Sequence, residues 1–266
     1  MFTPSEIAKK YSKSGAAKTT LSGVKTFVLA VFAGIFIAFG AFGSQVVGVS
    51  AGSESLGKFL SALVFPVGLL MVIMTGSELF TGNSLMVISV LDKKATVKGL
   101  FRNWGIVYLG NFVGSVFVAA MLTYSHAYSI FGNKLAEAVV AAAQNKVLLS
   151  SLDAFLRGIL CNILVCLSVL VSFAAEDVAG KILGLYLPIM LFVVSGYEHC
   201  VANMYFIPAG MFVSKEYDIL AEPITWFGFL IRNLLPVTIG NILGGACIVG
   251  AGYFFVYLYH TESSKA

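Results

Sequence analysis

Long uncharged runs alternate with short polar clusters along this chain. Runs long enough to cross a bilayer, at about 20 residues per crossing, occupy 27–53, 59–77, 103–133, 158–175 and 233–259. A further crossing joins 182–197 to 199–214 across an interruption at Glu198 and His199. The second crossing has a matching interruption: 59–75, a break at 76–83, and a continuation to Leu91. The pattern predicts an all-α membrane protein of six transmembrane helices, the second and fifth broken in mid-membrane. Ahead of the first crossing, Thr3-Pro4-Ser5-Glu6 has the form of a capping box with proline at the first helical position. Ile7 and Tyr11 then share a face, which predicts an amphipathic helix over about 4–20 lying on the membrane surface.

Two internal repeats organise these elements. Gly76, Glu78 and Asn83 recur as Gly196, Glu198 and Asn203, each pair 120 positions apart. Arg102-Asn103 with Val107, Gly110, Asn111 and Gly114 recurs as Arg232-Asn233 with Val237, Gly240, Asn241 and Gly244, each 130 apart. The second set belongs to the third and sixth crossings, an odd number of segments apart, so its copies run in opposite directions. The chain is thus expected to be one channel domain over 1–266 built from inverted three-helix repeats at about 22–125 and 146–260. The change of offset falls near Lys215-Glu216-Tyr217-Asp218, an expected outside loop. Gly110/Gly114 and Gly240/Gly244 put flat grooves on their helices, where backbones approach closely.

Composition agrees with a membrane protein. The chain is 58% hydrophobic and 11% charged, with a mean hydropathy of +0.91, which leaves too little polar surface for a soluble globule. Its net charge of +4 is an orientation signal, and no nucleic-acid partner is expected. With the N-terminus inside, the inner side carries Lys9, Lys10, Lys13, Lys18, Lys25, Lys93, Lys94, Lys98, Arg102, Lys181 and Lys265. The outer side carries Lys58, Lys134 and Lys215, while Lys146, Arg157 and Arg232 lie at the boundary. Both termini are therefore expected in the cytoplasm, and no removable signal peptide is read in the first 25 residues. Cys161, Cys166, Cys200 and Cys247 lie in apolar runs without metal-ligand spacing and read as buried small hydrophobes. No phosphate loop, nucleotide motif or activated nucleophile is present, so neither catalysis nor a cofactor nor a metal is expected.

The breaks are where chemistry is to be sought, because ionisable groups at membrane depth surround themselves with protein or line a cavity. Asn83 and Asn203 stand where N-caps belong, either satisfying free N–H groups or aiming them at a passing anion. Glu78 and Glu198, kept in both copies, read as supports pinning the loops, together with Asn83. The copies differ at the next position: Leu79 becomes His199, whose imidazole donates, accepts or changes charge near neutral pH. His126 and His260 sit near segment ends and read as bystanders. Lys146 reads as an interfacial lysine or as a cation that concentrates anions. Phe65, Leu69, Leu79 and Phe192 read either as core side chains or as apolar constrictions.

The segment Ser195 to Gly210, with Leu79-Phe80-Thr81-Gly82-Asn83 and Asn233 to Asn241, resembles the formate/nitrite transporter family over essentially the whole chain. Within it, the chain looks most similar to the bacterial hydrosulfide ion channel branch. The resemblance implies an aquaporin-like fold and a homopentamer in the inner (plasma) membrane, each protomer with its own pore. It also implies pore roles for His199, Thr81, Asn203 and Lys146 and constrictions near Phe65, Leu69, Leu79 and Phe192. Gly82-Asn83 after Thr81 departs from the hydroxyl residues of some formate-type members. The expected function is a channel for small monovalent anions, hydrosulfide first and formate or nitrite next, with possible protonation near His199. Competing readings are a neutral-solute channel, which lacks paired Asn-Pro-Ala half-helices, and a membrane anchor of a redox complex, which lacks paired intramembrane histidines.

Overall fold

A computed structural model describes residues 1–219 and 224–259, which are helical throughout their regular structure, with no strand. His260 and Lys265, named above, lie outside the described residues. Five stretches are long and apolar enough to span a membrane: Gly23–Gly48, Glu54–Thr75, Val97–Tyr124, Ser151–Ala174 and Gly228–Tyr257. Phe80–Leu91 and Val178–Val194 are shorter apolar helical stretches. The protein is an integral membrane protein.

Helix α1 (Pro4–Thr20) starts with the expected capping box: Thr3 caps Glu6, and the Thr3 backbone and side chain both donate to the Glu6 carboxylate. These bonds, the backbone one foremost, hold the Glu6 carboxyl below the usual carboxylate range. The apolar face of α1, Ile7, Ala8 and Tyr11, is buried, Tyr11 packing on Phe173, 5.3 Å between ring centroids. The helix therefore rests against protein where the sequence reading had placed it on lipid. Polar contacts as well as apolar ones hold it there: Tyr11 Oη donates to Gly82 O at 3.1 Å, Ser12 bonds Asp92, and Ser89 Oγ donates to Ser12 O at 2.8 Å.

Ser22 caps α2 (Gly23–Gly48), and Ser53 caps α3 (Glu54–Val64). Helix α4 (Pro66–Thr75) follows, ending at Gly76, whose φ of 70° is left-handed. There Gly76 N–H donates to Ile73 O and Ser77 N–H to Val72 O, the paired bonds of a Schellman stop. After three residues without helix, α5 (Phe80–Asn83), a 3-10 turn and α6 (Val87–Leu91) continue the chain. Helix α7 (Val97–Tyr124) ends earlier than the uncharged run to 133 suggested. His126, Phe131 and Asn133 adopt positive φ, turning the chain into an element the hydropathy pattern had not separated, α8 (Lys134–Val147).

Helix α9 (Ser151–Ala174) is capped by Ser150 and α10 (Val178–Val194) by Asp177. The second break repeats the first. Gly196, at φ 69°, sends its N–H to Val193 O, and Tyr197 N–H donates to Phe192 O. Helix α11 (Cys200–Glu216) resumes after His199. The last stretch is a π-helical segment (Gly228–Leu234), α12 (Leu235–Ile242), a second π-helical segment (Leu243–Ala251) and α13 (Gly252–Tyr257).

The paired glycines pack as expected. A Cβ on Gly114 would lie 2.1 Å from Val31 O, and one on Gly240 2.2 Å from Phe155 O, so α2 meets α7, and α9 meets α12, backbone to backbone. Cys161, Cys166 and Cys200 are buried, but Cys247 is exposed: it faces outward from the final helical stretch, where an apolar run by itself does not distinguish core from periphery.

Candidate functional site

Each helix break is tied to the bundle by an asparagine from a neighbouring helix. In the first, Phe80 N–H donates to Asn111 Oδ1 at 2.9 Å, while Asn111 Nδ2 donates to Glu78 O at 2.9 Å and Ala30 O at 2.7 Å. In the second, Cys200 N–H donates to Asn241 Oδ1 at 2.9 Å, while Asn241 Nδ2 donates to Glu198 O at 3.0 Å and Gly158 O at 2.8 Å. Glu78 N–H and Glu198 N–H complete the anchorage on Leu29 O and Arg157 O. Backbone groups freed by breaking a helix would otherwise be stranded in an apolar setting. Asn111 and Asn241 had stood out only as members of a repeat; their role needed coordinates.

The carboxylates act one step further out. Glu78 accepts from Lys18 Nζ at 2.9 Å and Asn83 Nδ2 at 2.6 Å, and Asn83 Nδ2 also donates to Asn103 Oδ1 at 2.9 Å. Glu198 accepts from Lys146 Nζ at 2.8 Å and Asn203 Nδ2 at 2.6 Å, and Asn203 Nδ2 also donates to Asn233 Oδ1 at 2.7 Å. The expectation that the carboxylates hold the broken backbone directly is thus replaced: they hold the asparagine side chains. Asn83 and Asn203 are not N-caps either. The caps are Leu79 and His199, and each asparagine sits a turn inside its helix, where side chains lean back toward the N-terminus and reach the glutamate.

Lys18 is the counterpart of Lys146, and each ends an amphipathic helix lying before a crossing. The spacing is legible once seen: Lys18, Leu21 and Ser22 recur as Lys146, Leu149 and Ser150 at an offset of 128. Lys146 is no snorkelling lysine; its side chain is 17% exposed and ion-paired to Glu198.

The symmetry fails at one position. His199 Nδ1 accepts from Ala202 N–H at 3.0 Å, and Nε2 lies 2.9 Å from Thr81 Oγ1. With Nδ1 an acceptor, a neutral ring carries its proton on Nε2 and donates it to Thr81, leaving the threonine hydroxyl hydrogen free to donate elsewhere. Leu79, the counterpart of His199, makes no side-chain cap.

Two cavities flank this pair. One, of about 400 Å³, is lined by Phe65, Phe192, His199, Asn203, Lys146 and others; the second, of about 350 Å³, is lined by Leu69, Leu79, Glu78, Asn83, Lys18 and others. They share no lining residue. Phe65 and Phe192 meet edge to face at 5.5 Å, and Phe192 stacks on His199 at 6.0 Å. Thr81 is fully buried and lines neither cavity, its backbone O held by Asn162 Nδ2 at 3.3 Å. The structure thus gathers His199, Thr81, Phe65 and Phe192, divides Leu69 and Leu79 from the two phenylalanines, and puts Lys146 in the cavity wall with Asn203. Gln45, Lys58 and Arg157 also line the first cavity; the sequence reading gives Lys58 only as an outer-side charge and Arg157 only as a boundary residue, and assigns Gln45 no role.

Known proteins resemble this chain in sequence and fold. The family model for the formate/nitrite transporter matches residues 5–255. A probable formate transporter of Methanothermobacter thermautotrophicus is 39% identical, covering 96% of this chain and 97% of its own. A solved pentameric formate channel with formate bound is 34% identical with a TM-score of 0.77, covering 89% of this chain and 98% of its own. A solved ion channel of the same family is 28% identical with a TM-score of 0.84, covering 94% and 98%. Members of this family are transporters and channels, not enzymes. By the match over residues 5–255 and the identity to these relatives, the chain belongs to the formate/nitrite transporter family.

Proposed function

We propose that each protomer conducts small monovalent anions between the two cavities, past His199 and Thr81. The observation that carries this reading is the 2.9 Å His199–Thr81 contact, buried between two vestibules and flanked by apolar side chains. Phe65 and Phe192 form the constriction on one side of it, and Leu69 and Leu79 that on the other, excluding hydrated ions by size and dewetting. Thr81 offers a hydroxyl donor to the anion, and His199 fixes the orientation of that hydroxyl. The working architecture is six crossings in two inverted repeats, each preceded by an amphipathic helix, α1 or α8. It is supported by the duplicated Schellman stops and the duplicated asparagine–glutamate–lysine networks. A homopentamer in the inner (plasma) membrane, termini inside, is supported by the pentameric relative and by the lysine distribution.

Formate stands ahead of hydrosulfide as the first substrate to test, because two of the three relatives named above are a formate transporter and a formate channel by name. Nitrite and hydrosulfide follow as anions of like charge. Two routes are compatible with the site: passage as the anion, and passage as the neutral acid after proton transfer. The Ala202 N–H directed at His199 Nδ1 counts against an imidazolium as the proton carrier, since protonation there would set two N–H groups against each other. The test is proteoliposome uptake of formate, nitrite, hydrosulfide and chloride, with internal pH recorded. Formate uptake is expected; no uptake of any anion would overturn the channel reading, and substrate influx without proton movement would exclude the neutral-acid route.

A further inference from the structure

The charges lining the two cavities are unequal. Among the described residues, the cavity on the α1 side is lined by one cation and one carboxylate, Lys18 and Glu78, paired at 2.9 Å. The cavity on the α8 side is lined by three cations, Lys58, Lys146 and Arg157, and one carboxylate, Glu198. Lys146 is committed to that carboxylate at 2.8 Å. Two cations remain, and no described carboxylate pairs with either. Glu54 and Asp153, each four residues earlier on the same helix, line no part of the cavity, and Asp153 bonds Ser150 instead. Lys58 also lies close over the second break: a Cβ built on Gly196 would come 3.7 Å from its Nζ. In the wall of the same cavity, Gln45 accepts from Tyr205 Oη through Oε1 at 3.1 Å, while its buried Nε2 has no partner. A buried unused donor in the same wall as a pair of uncommitted cations is suited to an anion.

Resting on the channel reading above, we infer that Lys58 and Arg157, with Gln45 Nε2 in the same cavity wall, recruit and hold the permeating carboxylate in the α8-side vestibule, and that Lys146 instead positions Glu198 and the second break. Lys58 and Arg157 are exposed at the cavity mouth, so their field reaches an approaching anion but is screened by salt. A Lys146 cation cancelled at contact distance contributes little at that range. The cavity on the α1 side has no such surplus, and access from the two faces is therefore unequal at low ionic strength.

The experiment is uptake of labelled formate into right-side-out and inverted membrane vesicles, at low and at high salt. The Lys58→Met, Arg157→Met double variant is expected to raise the half-saturating concentration roughly tenfold from one face at low salt. It should match the parent from the other face, and approach the parent from both at high salt. Lys58→Arg with Arg157→Lys should restore parental behaviour, which separates charge from packing. A double variant with the parent's half-saturation from both faces at low salt would overturn the inference while leaving the channel intact. So would a parent protein whose uptake from neither face responds to salt, a measurement that needs no variant. A parent that carries no formate at all refutes the channel reading itself.

Discussion

Replacing Asn241 by leucine tests whether the breaks are held as described. Asn241 makes three bonds to backbone: it accepts from Cys200 N–H and donates to Glu198 O, both freed by the break, and to Gly158 O, inside α9, at 2.8 to 3.0 Å. A buried polar group left unpaired costs about 1–3 kcal/mol, so the two groups of the break give roughly 2–6 kcal/mol. Interhelical hydrogen bonds in membranes average nearer 0.6 kcal/mol, or about 1 kcal/mol for two, because unfolded segments find other partners in the lipid. The larger figure applies here, since Cys200 N–H and Glu198 O belong to a helix break and have no helical partner to return to. At about 2–4 °C per kcal/mol for a chain of this size, Asn241→Leu should lower the melting temperature by roughly 4–24 °C. Asn241→Ala should do less damage, because it vacates space for a water with three polar partners, whereas leucine shuts water out. The assay is thermal loss of the size-exclusion peak of detergent-purified protein, with Asn111→Leu, which removes the same bonds in the first half, as an internal replicate. A leucine variant melting within about 2 °C of the parent, or an alanine variant that is worse than leucine, would refute the reasoning.

Three further outcomes follow from the same geometry. Gly240→Ala places a methyl 2.2 Å from the Phe155 carbonyl and should cost about 1–3 kcal/mol in the same melting assay, whereas Gly105→Ala, which meets nothing within 4 Å, should be neutral or slightly stabilising. Lys146→Met and Glu198→Gln should each destabilise by about 3–5 kcal/mol through the unmatched partner left behind, and the double variant by less than either, a sign that simple additivity would contradict. His199→Asn keeps a side-chain cap for α11 and should melt near the parent, but with the Thr81 contact gone formate flux should fall roughly tenfold, equivalent to about 1.4 kcal/mol; unchanged flux would remove His199 from the pathway.

Hydropathy by itself determined that this is a helical membrane protein, because about 20 apolar residues in succession have few other uses. The internal offsets also revealed the duplicated breaks, and the difference between Leu79 and His199 marked the asymmetric point, since those signals depend only on spacing. The sequence was less informative about helices whose apolar face meets protein. Helix α8 was hidden within a polar-flanked stretch, and α1 was assigned to the lipid surface, because an amphipathic stripe has the same period whichever apolar partner covers it. Which groups satisfy which was decided by tertiary structure alone. Asn111 and Asn241 are more than 30 positions from the backbone they anchor, and Lys18 is 60 positions from Glu78. The Lys146–Glu198 pair cancels a charge that a linear reading leaves free to attract anions, so the surplus passes to Lys58 and Arg157. A sequence gives the sign of each charge; only proximity determines which of them is already neutralised.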